Sequence, residues 1–198
     1  MTFGIIGAGG IGKAFARQLA RIGEEVMVSN SRGPESLAPL RTEIGPKVKP
    51  VSTREAAGAD IIMLSVVWNK IGSTVAGLPD WGGRIVIDAM NPVIMPEFRF
   101  AELGGRASSE IVAEQLPGAR LVKSLNTLSP EILGADPHQS GGRRVMFMSG
   151  DDAEAKATIS QLLERIGFAP VDIGSLANSH LQQFPGGTLP GLNLIKLG

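Results

Sequence analysis

The stretch FGIIGAGGIGKAFARQLARIG, residues 3–23, decides the fold. A short apolar run leads into four glycines within six positions and then, without a break, into a helical pattern. Gly7, Gly9 and Gly12 satisfy G-x-G-x-x-G, which gains its meaning from following a strand and opening a helix. Gly7 permits the tight turn, Gly9 lets a pyrophosphate approach the backbone, and Gly12 lets helix and strand pack closely. The amides of Gly10 and Ile11 then point toward phosphate from the positive end of the helix dipole. It reads as a dinucleotide-binding turn, the alternative being a glycine-rich turn with no ligand.

The rest of the chain repeats the same alternation. Strands are expected at Phe3–Gly7, Glu25–Ser29, Val48–Val51, Asp60–Val67, Arg84–Asp88, Arg120–Leu125 and Val145–Ser149. Several are apolar throughout, as parallel strands covered on both faces are. Helical composition falls at Ile11–Ile22, Glu35–Ile44, Arg54–Ala57 and Ala153–Ile166, the last with Ile159, Leu162, Leu163 and Ile166 on one face. The expected fold is α/β, a doubly wound, mostly parallel Rossmann sheet with a short C-terminal helical and irregular appendage. Residues 1–150 are expected to make the dinucleotide-binding Rossmann core, and residues 151–198 to complete the same domain with a helix, a strand and an apolar tail. The segment LANSHLQQF reads as a short helix, and FPGGTLPGLNLIKLG holds too much Pro and Gly for regular structure. The Pro-containing stretch Asn91–Phe100 reads as a long loop after the fifth strand.

The second strand end selects the dinucleotide. NAD enzymes place an acid there to bind the ribose 2′-hydroxyl. Here the position 18 residues beyond Gly12 is Asn30, followed by Ser31 and Arg32, with no carboxylate before Glu35. An acid would repel a 2′-phosphate, whereas amide and hydroxyl donors and a guanidinium fork suit it. NADP(H) is the expected cofactor. Asn30–Ser31 can equally cap the following helix. At later strand ends Val66, Val67 and Trp68 offer an apolar wall beside the nicotinamide, and Met90 and Asn91 complete the expected cofactor site. Trp68 serves as well for a loop anchor, and Asn91 for a turn former. Asp88 reads as a structural acceptor, and Lys123 as a surface residue or a contact for a substrate anion.

Composition narrows the class. The 198 residues carry 19 basic and 19 acidic side chains, so no net field invites nucleic acid or an anionic membrane. The absence of cysteine excludes disulfides, thiolate nucleophiles and cysteine-bound metal, and no metal site is expected. Without a signal-peptide pattern or an apolar run of roughly 20 residues, a cytoplasmic protein with no membrane partner is expected. There is no tyrosine, which removes a short-chain-dehydrogenase mechanism, and the two histidines lie in polar or tail segments. Hydride transfer between planar rings requires no protein acid or base, so no catalytic side chain is assigned.

GIIGAGGIGKAFARQLARIGEEVMVSNSRGPESL, ADIIMLSVVW, RIVIDAMNP, ARLVKSLNTLSPEIL and MSGDDAEAKATISQLLERIGFAPVDIGSLANS together resemble the NADP-dependent oxidoreductases that use the deazaflavin coenzyme F-420. That resemblance covers nearly the whole chain. It implies direct hydride transfer between C4 of NADP(H) and C5 of the deazaflavin, the two rings stacked in a cleft. The later motifs are also similar to the cytosolic reductase domain of the six-transmembrane metalloreductases, which pass electrons from NADPH through a flavin. Where the deazaflavin enzymes have a histidine in the strand-end motif, this chain has Asn126, closer to the metalloreductase version. The expected function is an NADP(H)-dependent oxidoreductase with a deazaflavin or flavin as small-molecule redox partner. Reduction of a small carbonyl or imine, and a non-catalytic NADPH-sensing module, are the alternatives. The acceptor ring is expected between the 90–100 loop, Asn126–Leu128 and the tail around Phe184–Leu189. The apolar tail (Leu189, Leu192, Leu194, Ile195, Leu197) is also a candidate homodimer arm.

Overall fold

The computed structural model describes all residues, Met1–Gly198. Twelve strands are formed: β1 Phe3–Ile6, β2 Val26–Ser29, β3 Val48–Pro50, β4 Ile61–Leu64, β5 Ile85–Asp88, β6 Val93–Ile94, β7 Arg99–Phe100, β8 Arg120–Ser124, β9 His138–Gln139, β10 Gly142–Gly150, β11 Ala169–Asp172 and β12 Ile195–Leu197. Seven α-helices join them: α1 Gly10–Arg21, α2 Pro39–Glu43, α3 Thr53–Ala56, α4 Ile71–Val75, α5 Ser108–Glu114, α6 Pro130–Gly134 and α7 Ala153–Ile166.

The main sheet runs β3-β2-β1-β4-β5-β8-β10-β11. Pairing is parallel from β3 through to β8, antiparallel between β8 and β10, and parallel again between β10 and β11. This is the expected mostly parallel, doubly wound sheet. Its strand order reverses between β1 and β4, and such a reversal opens a crevice beyond the strand carboxyl ends. β1, β4 and β5 are buried at every position because helices cover both faces.

Two apolar clusters flank the sheet. One gathers Phe3, Ile5, Phe15 and Leu19 with the Ile159–Ile166 face of α7; the other gathers Ile6, Ile62, Leu64, Trp81 and Val86. The buried Gln18 of α1 donates to the carbonyls of Leu133 and Ala135 at 2.6 and 2.7 Å. It thereby satisfies carbonyls that the end of α6 leaves without partners. α7 begins on Asp152, whose carboxylate accepts from Ala155 N and from Arg120 in a bidentate pair, and ends on Gly167 at φ +109°. The Arg120 hydrogen bonds hold the Asp152 carboxyl well below the ordinary aspartate range.

The expected helix Glu35–Ile44 is divided into a 3₁₀ turn, Pro34–Leu37, and α2. Pro39 has no N–H to continue the turn and sits instead at the first position of α2. The fourth strand ends at Leu64, freeing residues 65–67 for the crevice. The 90–100 loop contains the hairpin β6–β7, and the tail closes with β12 antiparallel to β10. The LANSHL portion of the tail is a 3₁₀ helix, Leu176–Leu181. No helix is long and apolar enough to cross a membrane.

Lys123 is no surface residue. Its ammonium lies 3.1 Å from Asp88 Oδ2 with both side chains fully buried. It also donates to the Met90 carbonyl, while Asp88 accepts from Ser109 Oγ at 2.6 Å and Met90 N at 2.9 Å. Burial pushes the Lys123 pKa down, opposed by the facing carboxylate. Removing one member strands the other in a dry site. Lys123→Met is therefore expected to cost about 3–5 kcal/mol in urea unfolding, with part recovered in the Asp88→Asn/Lys123→Met double variant. A loss below about 1 kcal/mol, the range of an exposed pair, would show that the pair is not a structural keystone.

Candidate functional site

A cleft of about 710 Å³ opens at the strand-order reversal. Its floor is the end of β1 and the glycine turn, with Ile6, Gly7, Ala8 and Gly9. One wall is the loop after β2, contributing Asn30, Ser31 and Arg32; the other is the segment after β4, contributing Ser65, Val66, Val67 and Lys70. Thr53 of α3 and Ser73 and Thr74 of α4 add hydroxyls. No lining residue is acidic.

The three motif glycines differ in what surrounds them. Gly7 has φ +111°, and a Cβ there would lie 2.0 Å from the Ser65 carbonyl oxygen. A Cβ on Gly12 would lie 2.0 Å from the Gly7 carbonyl oxygen. These two are glycine because the protein's own backbone fills the space. Gly9 has an ordinary φ of −75°, and a Cβ there meets nothing within 4 Å. Nothing inside the protein demands a glycine at position 9, so the open volume above it suits a group that approaches from outside. Gly10 is constrained differently, by Pro130 of α6 at 2.7 Å from its notional Cβ.

Gly9 caps α1 without a side-chain hydrogen bond, and no acid occupies the first turn. The first intrahelical bond is donated by Lys13 to the Gly9 carbonyl at 2.9 Å. The amides of Gly10, Ile11 and Gly12 therefore have no partner four residues back. An open volume, free helix-start amides and a rim without carboxylates together fit a dinucleotide pyrophosphate.

On the β2 side the residues divide their work. Asn30 Oδ1 accepts from Arg32 N at 2.9 Å, and its Nδ2 donates to Ser36 Oγ at 2.9 Å. Ser36 Oγ donates to the Gly33 carbonyl at 2.7 Å, and Gly33 itself sits at φ +90°. Asn30 is thus the device that shapes the turn. Ser31 and Arg32 are exposed on that turn, and their side chains have no hydrogen-bond or salt-bridge partner in the protein. The acid nearest Thr53 in sequence, Glu55, is spent on the Ser52 hydroxyl and amide at 2.6 and 2.9 Å, which hold its carboxyl below the ordinary glutamate range.

Six of the sequence candidates do not line the cleft: Gly10, Ile11 and Gly12 form the start of α1 beside it, and Trp68, Met90 and Asn91 lie elsewhere. Trp68 packs against the second apolar cluster and anchors the 3₁₀ turn Trp68–Lys70. Met90 is buried in that same cluster. The Asn91 amide is consumed internally: Nδ2 donates to the Asn126 carbonyl at 3.2 Å, and Oδ1 accepts from Asn126 Nδ2 at 3.0 Å and Phe184 N at 2.9 Å. Instead of facing the cleft, Asn91 ties the 90–100 segment, the end of β8 and the tail together. Beside this junction stand Phe98, Phe100 and Phe184, all exposed, with ring centroids 6.1 and 5.8 Å apart in edge-to-face contact. Thr53, Lys70, Ser73 and Thr74 are lining residues that carry no motif. Only their place just after β3 and β4, at the sheet's switch point, could have marked them.

The model of the family described as NADP oxidoreductase, coenzyme F420-dependent, matches residues 2–92. Metalloreductase STEAP3 of Rattus norvegicus is 30% identical over 177 residues, covering 89% of this chain and 34% of the relative. The chain spans about a third of the length of the curated relatives it matches. A crystal structure of a hypothetical protein from Sinorhizobium meliloti superposes with a TM-score of 0.92 at 44% identity, covering 99% of this chain and 96% of that one. An Arthrobacter structure (strain FB24), described as an F420-dependent NADP reductase, superposes at 0.77 with 26% identity, covering 90% and 87%. The N-terminal half of the chain is thus similar to the coenzyme F420-dependent NADP oxidoreductase family, and the whole chain shares the fold of both solved structures.

The contrast between glycines is directly measurable. Gly12→Ala is expected to destabilise by more than about 1 kcal/mol, because its Cβ would displace a backbone carbonyl. Gly9→Ala is expected to unfold like the parent in urea, yet to lose most dinucleotide affinity in calorimetric titration. Parental affinity in a folded Gly9→Ala protein would mean that no ligand fills the volume above residue 9.

Proposed function

We propose that this chain transfers hydride between NADP(H) and a deazaflavin of the coenzyme F-420 type or a flavin, holding the nucleotide in the cleft between β1 and β4. The observation that carries the reading is a glycine turn with open space above Gly9, beside an unpaired Arg32 on a rim free of carboxylates. An NAD site would place an acid where Asn30 stands.

Each residue then has a stated task. The amides of Gly10, Ile11 and Gly12 meet the pyrophosphate, and Ser31 and Arg32 meet the 2′-phosphate, the guanidinium through its fork of donors. Asn30 presents that pair by fixing the turn beneath it. Val66 and Val67 supply an apolar wall on the β4 side that keeps water from the nicotinamide half. When bound, the nicotinamide supplies or accepts the hydride, and the protein contributes orientation and water exclusion. The second ring belongs against the exposed Phe98–Phe100–Phe184 row, next to the Asn91–Asn126 junction. That row is apolar and aromatic, as stacking against a planar heterocycle requires. No protein acid or base is needed for the transfer.

The similarity to the metalloreductase and to the Arthrobacter reductase supports the same class of reaction. The exposed Leu192, Leu194 and Leu197 of the tail offer a face for a second copy of the chain, giving a homodimer.

The assay follows reduced-nicotinamide absorbance with coenzyme F-420, FMN and FAD as acceptors. Turnover with NADPH and at least one of these is expected, and tight NADPH binding without any oxidation would favour a sensing module instead. Arg32→Ala is expected to weaken NADPH binding by about 1.5–3 kcal/mol while leaving NADH nearly unchanged. Equal losses for both nucleotides would remove Arg32 as the discriminating residue.

A further inference from the structure

Arg32 shares the cleft with one other cation, Lys70, which no sequence motif marks. Arg32 and Lys70 are the only ionisable residues lining it, and neither has a salt-bridge partner. They project from the loops after β2 and after β4, the strands that flank β1 on either side. Neighbouring strands lie about 4.8 Å apart, so the two loops are rooted about 10 Å from one another. Long side chains reaching inward from both roots can close on one anion between them.

The backbone that carries Lys70 is held at three points. Trp68 is packed into the second apolar cluster. Asn69 donates to the Met95 carbonyl at 3.1 Å and accepts from Met95 N at 3.4 Å. Lys70 N donates to the Val67 carbonyl at 2.8 Å, and the Lys70 carbonyl accepts from Ser73 Oγ at 3.1 Å. The ammonium is thus attached to an ordered turn, although its side chain is exposed. Two unpaired cations facing one cleft without an acid repel one another, and an anion placed between them relieves that repulsion. The pyrophosphate already has the free amides and dipole of α1. A 2′-phosphomonoester carries nearly two negative charges at neutral pH, more than one guanidinium neutralises.

We propose that Lys70 is a second specificity-determining residue, which closes on the 2′-phosphate from the β4 wall opposite Arg32. The inference rests on the cleft being an NADP(H) site. It makes discrimination against NADH the product of two walls and not of the β2 turn alone.

Titration of the full chain with NADPH, NADH, adenosine 2′,5′-bisphosphate and ADP tests it. Lys70→Gln is expected to weaken NADPH and adenosine 2′,5′-bisphosphate about tenfold, the low end for a hydrogen bond to a charged group. NADH and ADP should change less than about twofold, and Lys70→Arg should keep most of the parental preference. The Lys70→Gln and Arg32→Ala effects should also be non-additive, since both act on one phosphate. Unchanged NADPH affinity in Lys70→Gln, or an equal loss for all four ligands, overturns the proposal while leaving the cofactor reading intact. Failure of the parent protein to bind NADPH at all would remove that reading itself.

Discussion

The junction of β1 and α1 is the constraint on which the rest depends. β1 is paired on both sides, with β2 and β4, so its end cannot shift without moving the sheet's centre. The backbone must leave that fixed end, turn at Gly7 and start a helix that passes directly over the turn. The Gly7 carbonyl sits where a Gly12 Cβ would be, and the Ser65 carbonyl where a Gly7 Cβ would be. The β4 exit, the turn and the helix therefore form one packed unit with no room for side chains. Its by-product is an outward-facing set of amides whose positions are set by the sheet.

The carboxyl edge of the sheet is divided into a wet half and a dry half. Over β1, β2 and β4 the strand ends are left open, and Asn30, Ser31, Arg32 and Ser65 just beyond them are exposed or partly so. Over β5 and β8 the strand ends are sealed by the tail. Gln182, fully buried, donates to the Phe147 carbonyl at 3.2 Å and accepts from Ser149 Oγ at 2.7 Å. Asn126 Nδ2 donates to the Gln182 carbonyl at 2.7 Å, and Gly191 N to the Thr127 carbonyl at 2.8 Å. These bonds satisfy polar groups that burial beneath the tail would otherwise leave costly. They also hold Phe184 beside the β6–β7 hairpin, so the aromatic row is assembled from segments 84 residues apart in sequence.

The sheet and the glycine turn were legible in the sequence because both depend on local patterns. Continuous apolar runs, a glycine spacing and the α7 stripe need no knowledge of distant contacts. The short helices α4, α5 and α6, each seven residues or fewer, carry too little periodicity to read. β6 and β7 are two residues each, too short to show a strand's alternation, and β12 exists only through its pairing with the distant β10. Lys123 misled for a related reason: an isolated lysine at a strand end suggests a surface, and only the fold brings Asp88, Ser109 and the Met90 carbonyl around its ammonium. Cleft residues such as Thr53 and Ser73 are ordinary hydroxyls until topology sets them beside the switch point.

What separates a reader of ligand from a builder of structure, along this edge, is whether its polar atoms are already engaged. Asn30, Asn91 and Asp88 lie at or just past strand ends, where binding residues are expected, and all three have their side chains occupied by protein partners. An engaged amide could contact a ligand only by giving up a bond worth about 1 kcal/mol, more where the abandoned partner is buried. Ser31, Arg32 and Lys70 carry no such debt and face the cleft. The sequence offers both kinds side by side in VSNSR, where Ser31 and Arg32 read as the main phosphate contacts and Asn30 as a further donor or a helix cap. The hydrogen bond from Arg32 N to Asn30 Oδ1 commits the asparagine to supporting the turn and leaves the arginine side chain free at the cleft.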